Sequence, residues 1–261
     1  MPILRKRKTG RDSCWGRIPS TPELLTSAWR EYSPEYGPAD ALSRGLHRTV
    51  LSHQLKIIFV HIPKTGGSSV EKTLGRRLGK GWRKNEESLM GWDRINKIWK
   101  QHLTCREMLT MGYINPSVFN SYFKFTFVRN PWERLVSEYT WKRHKQFDTF
   151  KTFIEALATW APAKAWSTRR GRCEAFQHLR PQTDFVSVGN ESPVDFIGRF
   201  ENLQGDFNVI CDRIGIEKLE LRHDKKTEHG PYWEYYDEST QEIVTRMYAD
   251  EIDYFEYVFG H

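Results

Sequence analysis

The chain has 261 residues, 38% hydrophobic and 14% aromatic, enough to fill a sizeable core in one domain, which excludes wholesale disorder. Its 40 Lys and Arg against 33 Asp and Glu leave a formal charge of +7 and a pI near 9.2, which favours an anionic partner such as a phosphorylated cofactor, an acidic polymer, nucleic acid or a membrane face. Cys14, Cys105, Cys173 and Cys211 stand far apart, with no CxxC and no clustered histidines. That spacing argues against a zinc site or a dense disulfide framework, and no run approaches the roughly 18 apolar residues of a membrane span.

Residues 1–20 are basic, rich in Gly, Pro and Ser, and without period, the composition of a loosely docked arm. They lack the apolar core of a secretory signal, so the expected location is cytoplasmic. Thr21 followed by Pro22 opens a predicted helix over "TPELLTSAWREY", and "GPADALSRG" reads as a connection. The expected organisation is an arm with a short helix over 1–50 and one main domain over 51–261.

The run "KIIFVHI" (56–62) is β-branched and almost continuously apolar, a strand buried on both faces. A lysine, two glycines and two serines follow, and then Val70, Leu74 and Leu78 recur as one helical stripe. The same unit returns at "YFKFTFV" (122–128), where Arg129 ends the strand, Asn130 caps a helix and Pro131 takes its first position. Trp132, Leu135, Val136 and Tyr139 form the buried stripe of that helix, and Ser137 falls off it, towards solvent or a ligand. Further on, "FKTFIEALATW" reads as a helix, and "TDFVSV" and "DFIGRFE" read as strands. Leu203, Phe207, Ile210 and Ile214 mark another helix, and Ser239 with Glu242 forms a capping-box pattern before a last helical run. Strands alternating with helices predict an α/β fold, three layers around a central parallel sheet.

The first turn, "PKTGGSS", is neither a Walker loop nor a dinucleotide loop, because Lys64 precedes Gly66 and Gly67 and the glycine spacing is wrong. The ingredients of an anion site are present all the same. Glycines let backbone amides approach, the helix that follows turns its positive end towards the loop, and Lys64 adds a full charge. Thr65, Ser68 and Ser69 add hydroxyl donors.

"PKTGGSS" followed about sixty positions later by "VRNPWERLVSEY" resembles the two phosphosulfate-binding signatures of sulfotransferases, above all the Golgi-type carbohydrate sulfotransferases and their bacterial relatives. "RFENLQGDFNVICDRIGI" and "YADEIDYFEYVFG" are similar to later segments of that family, so the likeness covers about residues 56–259. It implies a P-loop-like sulfotransferase architecture and 3′-phosphoadenosine 5′-phosphosulfate (PAPS) as donor. Lys64, Thr65, Gly66, Gly67, Ser68 and Ser69 would hold the 5′-phosphosulfate, and Arg129 and Ser137 the 3′-phosphate. No metal is implied. Lys64 would stabilise charge on the leaving oxygen, and His102, between the two loops, would be the base. Glu71 is a rival base, while His61 reads as structural. Lys226 and Thr227 stand in a late basic loop of the kind that closes over the nucleotide in relatives. His178, Arg180 and Gln182 are candidate acceptor contacts. The acceptor is a hydroxyl, by default of a glycan, with no nucleic acid expected.

Two other classes remain open. A kinase-like nucleotide enzyme would want a Walker lysine and an acidic magnesium ligand ending a strand, both missing from the expected places. A polyanion or nucleic-acid binder would spread its cations along a face, whereas here the informative ones end buried strands.

Overall fold

Ile57–Val60, four residues buried on both faces, form strand β2 at the heart of the protein. In the computed structural model, which describes residues 50–78, 89–96, 98–160, 174–221 and 230–260, β2 lies in a four-stranded sheet. A short β1 (Leu51–Ser52) runs antiparallel to β2 at one edge. On the other side β2 pairs in parallel with β5 (Phe123–Val128), in register Ile57 to Phe123 and Val60 to Thr126. β5 in turn pairs in parallel with β6 (Phe196–Arg199). A separate two-stranded ribbon joins β3 (Trp92–Asp93) to β4 (Ile98–Trp99). The fold is therefore mixed α/β, with a central, mostly parallel sheet flanked by helices. Parallel strands need crossover connections, and helices supply them here.

In chain order the α-helices are α1 (Gly67–Arg77), α2 (Cys105–Thr110), α3 (Pro116–Ser121), α4 (Pro131–Trp141), α5 (Phe150–Trp160), α6 (Glu174–Leu179), α7 (Gln182–Val186), α8 (Leu203–Ile214), α9 (Glu238–Met247) and α10 (Ala249–Phe255). Phe59, Phe125 and Phe127 fill the sheet's core, with Phe59 and Phe125 stacked at 5.0 Å. Lys124 interrupts β5, and its buried ammonium is satisfied by the carbonyls of Phe119 and Tyr122 at 3.2 and 2.7 Å and by Asp195 at 3.1 Å.

Three expectations are corrected. "TDFVSV" is not a strand: residues 182–186 form α7. Short apolar runs are ambiguous by period, and here Gln182, Phe185 and Val186 share one buried helical face. The last helical run is capped by Asp237, whose carboxylate accepts from Thr240 N while the Thr240 hydroxyl accepts from Asp237 N, so Ser239 lies inside the first turn. Ser137 is 4% exposed, not a surface residue. The stripe argument assumes one buried face, whereas α4 buries Pro131, Trp132 and every residue from Arg134 to Glu138. The arm, the helix expected over 21–32, Cys14 and Cys173, and Lys226 and Thr227 lie outside the described residues.

Candidate functional site

The two turns that the sequence singles out leave neighbouring parallel strands at the same end of the sheet, β2 into α1 and β5 into α4. That places them side by side, as parallel pairing requires. Arg129 Nη1 donates to the carbonyl of Lys64 at 3.2 Å, so one turn braces the other.

In the first turn the backbone takes unusual torsions. Lys64 has φ 70° and Gly66 φ 81°, both left-handed. For glycine that costs little, but for lysine it is strain of about 1–3 kcal/mol that persists only where the surroundings impose it. Here the Thr65 hydroxyl donates to Ile62 O at 2.8 Å from inside the turn, and Arg129 holds the Lys64 carbonyl from outside. Gly67 is required for a different reason: a Cβ there would lie 2.1 Å from the His61 ring. α1 begins with no side-chain cap. The start of an eleven-residue helix thus offers backbone amides beside a lysine, two glycines and two serines.

In the second turn Asn130 accepts from Trp132 N at 3.1 Å and Glu133 N at 3.4 Å, capping α4. The guanidinium of Arg129 is 6% exposed, pairs with Glu133 at 2.8 Å and lies 3.9 Å over the Phe200 ring. Among the described residues its buried Nε has no hydrogen-bond partner. Gln182 holds the turn from behind: its side-chain oxygen accepts from Arg129 N at 2.9 Å and its NH2 donates to Arg129 O at 2.8 Å. Glu251, also fully buried, accepts from both the backbone and the side chain of Gln182.

Three histidines gather beside the first turn. His102 Nδ1–H donates to the carbonyl of His61 at 3.1 Å, which leaves Nε2 of the neutral ring as an acceptor. Its ring meets those of His61 and His178 edge-on, with centroids 4.6 and 5.2 Å away. Burial, and then the neighbouring His61 and His178, push the pKa of His102 well below 6.5, so it is neutral at neutral pH. His61 Nδ1 pairs with Glu71 Oε1 at 2.6 Å, and Glu71 is 1% exposed, so Glu71 does not belong to a solvated face. His178 Nδ1 pairs with Glu138 Oε2 at 2.9 Å, and Arg143 sits 2.7 Å from the other carboxylate oxygen. Burial pushes the Glu138 pKa up, but His178 and Arg143 outweigh it and hold the carboxyl below the usual carboxylate range.

The structure therefore brings together Lys64, Thr65, Gly66, Gly67, Ser68 and Ser69 on one turn, with Arg129 against it and His102 beside the strand that leads into it. Ser137 lies two turns along α4, separated from Arg129 by the first two turns of the helix. Of the three expected acceptor contacts, His178 joins the histidine group. Arg180 is committed to Glu107 by a fork of bonds at 3.1–3.2 Å, and Gln182 to the Arg129 turn. Sequence reasoning missed Glu138, Trp141 and Arg143. The available signal was adjacency: Glu138 sits within the second signature, and Trp141 lies one helical turn beyond it on the same face.

Comparison with known proteins gives a consistent picture. The profile of the sulfotransferase family matches residues 47–258. Human carbohydrate sulfotransferase 9 is 25% identical over 267 aligned residues, which cover 93% of this chain and 57% of that protein. The chain thus spans little more than half the length of that relative. An uncharacterised protein of Archaeoglobus fulgidus is 29% identical over 115 residues, covering 42% of this chain and 82% of that one. Among the described residues no helix is long and apolar enough to cross a membrane, and no group of three or more His, Cys, Asp and Glu is placed to hold a metal ion.

Proposed function

The chain belongs to the sulfotransferase family, and on that footing we propose that it transfers the sulfuryl group of PAPS to a hydroxyl of a carbohydrate acceptor. The observation that carries this reading is the pair of cation-bearing turns on adjacent parallel strands, joined by the bond from Arg129 to Lys64 O. Two anionic groups on one nucleotide need two cationic clefts at one sheet edge.

The residues present fit such a donor. The uncapped start of α1, with Lys64, Thr65, Gly66, Gly67, Ser68 and Ser69, offers backbone amides, the two serine hydroxyls and one ammonium to a 5′-phosphosulfate, while the Thr65 hydroxyl holds the turn itself. Arg129, whose buried Nε has no hydrogen-bond partner among the described residues, together with the Ser137 hydroxyl on the helix that follows it, is assigned to the 3′-phosphate. When bound, the donor supplies an activated sulfuryl group and a phosphate leaving group. Lys64 sets a positive charge beside the loop amides, already in place for charge that develops there. His102 Nε2 takes the proton of the acceptor hydroxyl, since its Nδ1 is committed to the His61 carbonyl and its ring is neutral. The name of the human relative, a carbohydrate sulfotransferase, supports a sugar as acceptor.

The test is calorimetric binding of 3′-phosphoadenosine 5′-phosphate, ADP and ATP to wild type and Arg129→Ala. Wild type is expected to prefer the 3′-phosphorylated nucleotide. The substitution is expected to weaken it by about ten- to a hundredfold, the weight of a charge-assisted hydrogen bond, and to weaken ADP markedly less, by only as much as the lost brace on Lys64 O loosens the first turn. Equal or tighter binding of ATP would sink the reading and return a kinase-like enzyme to the front.

A further inference from the structure

Trp141, the last residue of α4, has no part in the chemistry above, yet the Lys64 ammonium and the imidazole that packs on His102 both meet its ring. Lys64 Nζ lies 4.5 Å from the ring centroid and Lys142 Nζ 4.7 Å from it. The His178 imidazole stacks on the same ring, 5.2 Å between centroids and 9° between planes. His178 then meets His102 edge-on at 5.2 Å. Glu138, three residues before Trp141 on α4, hydrogen-bonds His178, so one helix face grips that imidazole by both stacking and a hydrogen bond.

We propose that Trp141 is a positioning residue of the transfer reaction, holding the Lys64 ammonium and the His178–His102 ring pair in one array; the proposal rests on the roles of Lys64 and His102 given above. The physical need is plain. Thr65 and Arg129 fix the backbone around Lys64, but the lysine side chain ends in a flexible four-carbon stem with many rotamers. An indole face attracts an ammonium and so narrows where that charge can sit. The same indole, stacked on His178, limits how the His102 ring can tilt. Charge donor and proton acceptor are thereby registered to one another through rigid groups, which matters because misplacement of about 1 Å is costly in transfer chemistry.

The experiment compares wild type, Trp141→Phe and Trp141→Leu in two readouts. The first is turnover with PAPS as donor and methyl glycosides as acceptors. Trp141→Leu is expected to lose about tenfold in kcat with the donor KM changed less than about threefold, and Trp141→Phe, which keeps an aromatic face, to regain most of the loss. The second needs no donor: acetylation of Lys64 by acetic anhydride, followed by mass spectrometry, is expected to be several-fold faster in Trp141→Leu than in the other two. Equal kcat in all three proteins, Phe and Leu variants equally impaired, or a loss confined to the acceptor KM would overturn the proposal, the last pointing to sugar stacking. Equal Lys64 labelling across the three would overturn it whatever the turnover. A wild type that fails to bind 3′-phosphoadenosine 5′-phosphate would instead overturn the donor reading, so the two failures are told apart.

Discussion

His102 shows how much a single residue's chemistry owes to its neighbours. Buried to 8% exposure, with its Nδ1–H spent on the His61 carbonyl, it has one defined acceptor atom. Because burial and the adjacent His61 and His178 push its pKa well below 6.5, a rate that needs the neutral ring stays flat as pH falls through neutrality and declines only below that ordinary value. A pH profile of kcat/KM checks this, and an acid limb centred at or above 6.5 would remove His102 as the base. His102→Asn is expected to lower kcat by about 10²- to 10⁴-fold while nucleotide affinity measured by calorimetry stays near wild type. Its place between the two loops was legible in the chain. Its tautomer was not, because the carbonyl that sets it belongs to a residue distant in sequence.

At the scale of elements, caps decide where helices begin and therefore where their ends point. Asn130 accepts from two amides of α4, and its NH2 also donates to Tyr232 Oη at 3.3 Å and Val258 O at 3.2 Å. An exposed cap is worth about 1 kcal/mol, whereas this one is itself buried and also donates to Tyr232 and Val258, so Asn130→Ala is expected to lose about 2–3 kcal/mol in urea unfolding. A loss below about 1 kcal/mol would show that the tertiary bonds contribute nothing. The Asn-Pro start of α4, the strands that lead into the two turns and the helix at 203–214 were readable from period and punctuation. Residues 182–186 were not, since five residues are too few to separate a helical face from a strand.

For the whole molecule, the buried charged groups set the acid limit. An unfolded chain protonates His102 near 6.5 while the folded one resists, so stability falls as pH drops below that value. Glu138, held below 4.5 by His178 and Arg143 against the effect of its burial, contributes stability above 4.5 that is lost as pH falls through that value and beyond. Tm is therefore expected to decline in two stages between neutral and acid pH, measurable by scanning calorimetry. Glu138→Gln shrinks the second stage and takes the Glu138 carboxylate away from the buried Arg143, at a cost of about 3–5 kcal/mol at neutral pH. A variant as stable as wild type would show that this carboxylate is not the anchor of the histidine group.

By itself the sequence determined the two strand–turn–helix units, the cation at each turn, the α/β class and most helix starts. All of these are written in local torsional preferences and in the period of apolar residues. Only the tertiary structure decided that β2 and β5 are neighbours, that Arg129 closes on Lys64 O, that Gln182 is a brace for the second turn, and that Ser137 is buried. The array from Lys64 through Trp141 and His178 to His102 belongs to the same class. Its members are scattered along the chain, and nothing in their local sequence says that they touch; they meet because parallel pairing of β2 and β5 sets the two turns side by side and α4 then carries Glu138 and Trp141 onto His178.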